Sequence, residues 1–76
     1  MIGVKLYGLL RTESGIKERQ LEAATVKEVL DDLERCGIPR QKLEAAVILV
    51  NGRNARKRSR LTDGDTVVLM SPVAGG

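Results

Sequence analysis

Ile2, Val4 and Leu6 alternate with Gly3, Lys5 and Tyr7. That period of two predicts a strand with one face turned inward. The polar segment Arg11-Thr12-Glu13-Ser14-Gly15 reads as a hairpin loop closed by glycine. A second strand is expected from Ile16 to Leu21. Its alternation is poorer, and its polar bulk suits a sheet edge, where charge discourages strand-to-strand aggregation.

The next segment changes period. Val26, Val29, Leu30 and Leu33 recur at helical spacing, with Asp31, Asp32, Glu34 and Arg35 filling the rest. Thr25 stands as an N-cap with Glu28 three residues on, the pattern of a reciprocal capping box. Gly37 supplies a left-handed stop, and Pro39 is expected to prevent continuation. Leu43 through Val50 reads as a strand apolar on both faces and therefore central or well covered. Asn51-Gly52 is a strong hairpin signal, so a short strand should follow near Asn54. A tight turn at Asp63-Gly64 precedes a last strand from Thr66 to Ser71, which Pro72 ends.

The order is strand, strand, helix, strand, short strand, strand. The helix must bury its stripe against one sheet face, giving an α+β roll. No repeat or internal linker breaks the pattern, so one domain over 1–72 is expected, with 73–76 as a flexible tail ending in Gly-Gly. If Val4, Leu6, Val67 and Leu69 face the helix, parity turns Tyr7, Val68 and Met70 outward. Tyr7 is the only aromatic, and interfaces favour Tyr and Met, although its ring could equally cover a neighbouring strand.

Composition narrows the chemistry. With 76 residues there is no room for a deep catalytic cleft, and 42% apolar residues with interspersed charge indicate a globular chain. No apolar run approaches the roughly 20 residues that span a membrane, and the N-terminus has no secretory pattern, so a cytoplasmic protein without a membrane partner is expected. Histidine is absent, which removes the commonest general base and any Ser-His-Asp or Cys-His set. The glycines match neither a phosphate loop nor a dinucleotide fingerprint. Asp31/Asp32 and Asp63/Asp65 suit surface and turn roles better than metal binding. Lone Cys36 reads as a small packing residue, because the acidic helix around it offers little to lower its pKa. An autonomous enzyme, a bound cofactor and a metal site are therefore not expected. Net charge is +3, with five basic residues between Arg53 and Arg60. Without interleaved aromatics that run suits a solvated loop, able to steer toward an acidic partner, better than a nucleic-acid site.

What remains is the end, Ser71-Pro72-Val73-Ala74-Gly75-Gly76. Four residues beyond Pro72 reach at most about 13–14 Å, enough to thread into a partner's pocket. Gly75 and Gly76 would let a narrow channel close around the backbone. A carboxylate resists nucleophilic attack, so Gly76 would need activation; joining it to AMP supplies a leaving group, and ATP would belong to the activating partner. A sulfur nucleophile would then give a thiocarboxylate, and an amine an isopeptide.

In length, element order, the run Leu61-Thr62-Asp63-Gly64-Asp65, the strand from Ala46 to Asn51 and the end Pro72-Val73-Ala74-Gly75-Gly76, the chain resembles the ubiquitin-like sulfur carriers. These comprise the small subunit of molybdopterin synthase and the thiamine-pathway sulfur carrier. The turn, the ending and the length are more similar to the molybdopterin branch. The resemblance implies a β-grasp (ubiquitin-like) roll, a mixed sheet of four to five strands packed on one main helix. It also implies a ubiquitin-activating-type adenylating enzyme, a sulfur donor protein and a larger catalytic synthase subunit as partners. Gly76 would bear the adenylate and thiocarboxylate, and Gly75 would fill the narrow channel. An apolar patch on the exposed sheet face would dock the partner, with Tyr7, Val68, Met70, Val73 and Ala74 in contact and Arg11 at a position often basic in the family. The chain departs from that pattern in having no aromatic in its last strand and a heavier basic cluster. A thiamine or other sulfur-metabolite carrier, a protein modifier conjugated through Gly76, and a binding module for acidic partners remain alternatives.

Overall fold

The computed structural model describes residues 1–72, and Val73, Ala74, Gly75 and Gly76 lie outside the described residues. Eight elements follow one another: β1 (Ile2–Tyr7), α1 (Leu9–Ser14), β2 (Glu18–Leu21), α2 (Val26–Arg35), α3 (Arg40–Ala45), β3 (Val47–Val50), β4 (Arg53–Asn54) and β5 (Thr66–Met70). The strands form one mixed sheet in the order β2-β1-β5-β3-β4. Only β1 and β5 run parallel; the other three pairings are antiparallel. This is the β-grasp arrangement, with α2 laid across one face.

Register explains the core. Val4 lies beside Val67 and Leu6 beside Leu69, while Ile48 and Val50 meet Leu69 and Val67 from β3. Val26, Val29, Leu30 and Leu33 cover that face, and all four are fully buried. The capping box forms with one change of partner. Thr25 Oγ1 accepts from the Glu28 amide at 3.4 Å, but Glu28 reaches back to the Ala24 amide at 2.8 Å. At the other end Gly37 adopts a positive φ of 108°, its amide bonds the Glu34 carbonyl, and the Ile38 amide bonds that of Leu33. This double closure satisfies carbonyls the helix leaves open.

Four expectations are corrected. Residues 11–15 are not a hairpin loop: α1 occupies Leu9–Ser14, pinned by buried Leu10 and stopped by Gly15 at φ 75°. The expected strand from Leu43 starts only at Val47, because Pro39 opens a second helix instead of merely ending the first. Its carbonyl accepts from the Lys42 and Leu43 amides, and Leu43 is fully buried. Strand β3 is interior to the sheet but next to the short edge strand β4 and not central, and it is not covered on both faces; Val47 is 39% exposed. Cys36, expected to pack, is exposed.

Candidate functional site

The end of β5 is where the described chain stops, and its geometry decides where the last residues start. Ser71 follows Met70 directly, and its hydroxyl accepts the Leu10 amide at 3.0 Å. That amide belongs to the first turn of α1, where helix donors have no internal partner. Gly8 sits beneath, at φ 69°, with space for a Cβ only 3.4 Å from Ser71 Oγ. A positive-φ glycine and a hydroxyl thus fasten the base of the tail to the turn after β1. Pro72 is exposed.

The outer sheet face abuts this exit. Met70 lies between Tyr7 and Val47, and Val68 lies between Lys5 and Leu49. Side chains at paired positions share a face, so Tyr7, Met70, Val47, Val68 and Leu49 form a continuous apolar patch across three strands. Tyr7 is 43% exposed, and Val68, Met70 and Leu49 are half-buried. The structure therefore brings together three of the residues singled out from sequence, Tyr7, Val68 and Met70. It adds Val47 and Leu49, which only the β3–β5 register reveals. Parity within β3, counted back from the Asn51-Gly52 turn, carried that signal once β5 was its neighbour. Arg11 stands on α1, not in a loop, and lines a small concavity with Tyr7, Lys5, Lys17 and Glu18. Gly75, Gly76, Val73 and Ala74 lie outside the described residues.

A second hollow, of about 250 Å³, opens under the exit between α1 and α3. Leu9, Leu10, Ala45 and Pro72 give it apolar walls, with Glu13 and Lys42 ion-paired at its rim. Leu9 is 62% exposed at its edge.

Among the described residues no group of three or more His, Cys, Asp or Glu side chains could hold a metal ion. Asp31 is held below the usual carboxylate range by hydrogen bonds from Arg40 and Lys27, and Glu44 by Lys57 and Arg40. Asp65 is lowered by the Thr62 amide and the Asn51 side chain. All three serve turns and ion pairs on the surface. Among the described residues no helix is long and apolar enough to cross a membrane.

The family model that matches the chain is that of the ThiS family, over residues 4–76. The chain belongs to the ThiS family. It is thus a ubiquitin-like sulfur carrier by descent, and the small carrier scaffold of that family agrees with the β-grasp sheet described above. Comparison with curated proteins returns no match. Among solved structures, this ThiS-family chain is similar to SAMP1 from Haloferax volcanii, a small archaeal modifier protein, at 25% identity and TM-score 0.81, covering 99% of this chain and 98% of that one. It is similar to the Amycolatopsis orientalis BexX/CysO complex at 29% identity and TM-score 0.76, with 100% of both chains covered. It also resembles a putative molybdopterin converting factor subunit 1 from Pyrococcus furiosus, at 25% identity and TM-score 0.73, covering 95% and 97%.

Proposed function

We propose that this ThiS-family chain is the small, non-catalytic sulfur-carrying subunit of a molybdopterin-forming synthase, with Gly76 as its reactive terminus. An ATP-using, ubiquitin-activating-type enzyme joins the Gly76 carboxylate to AMP and releases pyrophosphate. A sulfur nucleophile delivered by a donor protein then attacks the acyl carbon and displaces AMP, leaving a thiocarboxylate. The thiocarboxylate sulfur then bonds to a pterin precursor held by the larger catalytic subunit, and water cleaves the acyl carbon–sulfur bond, leaving the sulfur on the pterin and restoring the Gly76 carboxylate. Acid–base groups and ATP belong to the partners, consistent with a scaffold that has no histidine.

The observation that carries this reading is the position of the tail's base. Met70 is in the apolar patch and Ser71, the next residue, is tied to Leu10. A partner that covers Tyr7, Val68, Met70, Val47 and Leu49 would receive Val73 and Ala74 at its rim and Gly75-Gly76 in a channel. Arg11, exposed beside Tyr7, would meet an acidic group at that rim. The extended reach of about 13–14 Å suits a buried reaction centre. The P. furiosus molybdopterin converting factor similarity favours the pterin branch.

The similarity to SAMP1 favours a second reading, conjugation through Gly76 to lysine amines on other proteins. A carrier for thiamine or another sulfur metabolite shares the tail chemistry and differs in acceptor. Loading the chain with radiolabelled sulfur and offering pterin-precursor and thiazole-forming synthases separates these readings. Label in the pterin product supports the proposal. Label in a thiazole, or a ladder of lysine conjugates with no pterin product, refutes the molybdopterin branch.

A further inference from the structure

The basic run that the sulfur-carrier reading leaves unused is a built surface. The backbone of 56–60 is stitched to the start of α2. The Val26 amide bonds the Ser59 carbonyl at 3.0 Å and the Lys27 amide the Lys57 carbonyl at 3.0 Å. Thr25 and Arg60 form a β-bridge, and the Leu61 amide bonds the Ala24 carbonyl at 2.8 Å. Ser59 Oγ accepts the Arg56 amide at 2.9 Å, which holds the turn closed. These bonds bring Lys27 beside Lys57, Arg58 and Arg60, and Glu44, paired with both Arg40 and Lys57, brings Arg40 to the same place. With Thr25 the five cations line one hollow of about 460 Å³.

The charge there is only partly neutralised. Arg40 bonds Asp31, Glu34 and Glu44, Lys27 bonds Asp31, and Lys57 bonds Glu44. Arg58 and Arg60 are exposed, and among the described residues neither has a carboxylate within ion-pair distance. Two guanidinium forks therefore face solvent beside three tethered cations, a geometry suited to carboxylate oxygens taken two at a time.

We propose that this hollow is a docking surface for a carboxylate-rich segment of a partner protein. The alternative polyanion, a nucleic acid, fits less well. Its affinity comes from a closely spaced phosphate row, and here Asp31 and Glu44 interrupt the positive charge. Stacking platforms are missing too, because the single aromatic, Tyr7, lies on the outer sheet face. The hollow is on the helix side of the sheet, opposite the apolar patch, so an acidic segment bound there leaves patch and tail free. The surface could thus retain a donor or activating partner while the tail is engaged elsewhere.

The test is titration of the full chain with an oligoglutamate peptide of about ten residues and, separately, an RNA oligonucleotide of equal charge, followed by amide NMR at low and physiological salt. The peptide is expected to shift the amides of Lys27, Lys57 and Ser59. R58E/R60E should weaken peptide binding by about tenfold or more and R58Q/R60Q by less, whereas K17E/R35E, with the same change of net charge, should weaken it by no more than about twofold. Deleting Gly75-Gly76 should leave peptide binding unchanged, which separates this outcome from failure of the sulfur-carrier reading. Equal losses in R58E/R60E and K17E/R35E, no peptide binding, or tighter binding of RNA than of peptide would each overturn the proposal. Arg58, Arg60, Lys17 and Arg35 are all exposed, and the amide spectra of the free variants verify that the fold survives.

Discussion

Ser71 is a small residue with two jobs. It closes an orphan helix amide at Leu10, and it fixes the direction in which the chain leaves β5. Ser71→Ala should remove a hydrogen bond worth about 1 kcal/mol and lower the thermal midpoint by roughly 4–8 °C, read by a melting curve. Gly8, at φ 69° and against the same hydroxyl, should tolerate alanine less well. Left-handed strain and the close approach together cost about 1–3 kcal/mol, measurable by denaturant titration. If the tail's exit matters to sulfur transfer, both variants should also slow it at temperatures where they remain folded.

At the scale of elements, α2 carries the core and the outer sheet face carries recognition. Thr25→Ala should cost about 1 kcal/mol by removing the N-cap acceptor, with no effect on partner binding at low temperature. Val47→Asp places a charge in the apolar row Tyr7–Met70–Val47 at an exposed position. It should leave the fold intact yet weaken the complex with a partner subunit by tenfold or more, on the order of 2 kcal/mol, in a calorimetric titration. The same scale shows what the sequence could and could not reveal. Helix α2 was legible because ten residues present nearly three turns of periodic burial between a capping box and Gly37. The turns at Asn51-Gly52 and Asp63-Gly64 were legible because the required positive φ values at Asn51, Gly52 and Gly64 restrict residue choice. Helices α1 and α3 were not, since six residues make under two turns and each buries a single leucine. Leu43 is separated from the apolar run 45–50 only by Glu44, which masks the helical start that Pro39 sets. Val47 and Leu49 are not legible as patch residues from sequence, because face assignment across β3 depends on which strand lies beside it.

For the molecule as a whole, surface ion pairs and one hydrogen-bonded turn carboxylate set an acid limit. Asp31, Asp65 and Glu44 all have lowered pKa values in the folded state, against ordinary values of 3.8 for the aspartates and 4.5 for the glutamate. Their stabilisation is fully present above those ordinary values and is lost as pH falls through the lowered ones. Stability should therefore decline below about pH 4.5, and salt should shrink the Asp31 and Glu44 contributions, whose partners are cations, but not that of Asp65, whose donors are the neutral Thr62 amide and Asn51 side chain. The chain has no histidine, so unfolding free energy should change little between about pH 5 and 7. Two opposed surfaces, apolar on the sheet and basic on the helix side, divide the described residues. That division makes sense if the chemistry is done by other proteins on a carried end.

The most direct measurement is intact mass of the full chain after incubation with ATP, a ubiquitin-activating-type enzyme and a sulfur donor. Exchange of one oxygen of the Gly76 carboxylate for sulfur adds about 16 Da, and the gain should vanish when ATP is omitted or Gly76 is deleted. An unchanged mass under complete conditions, or the same gain in a chain lacking Gly76, would contradict the account.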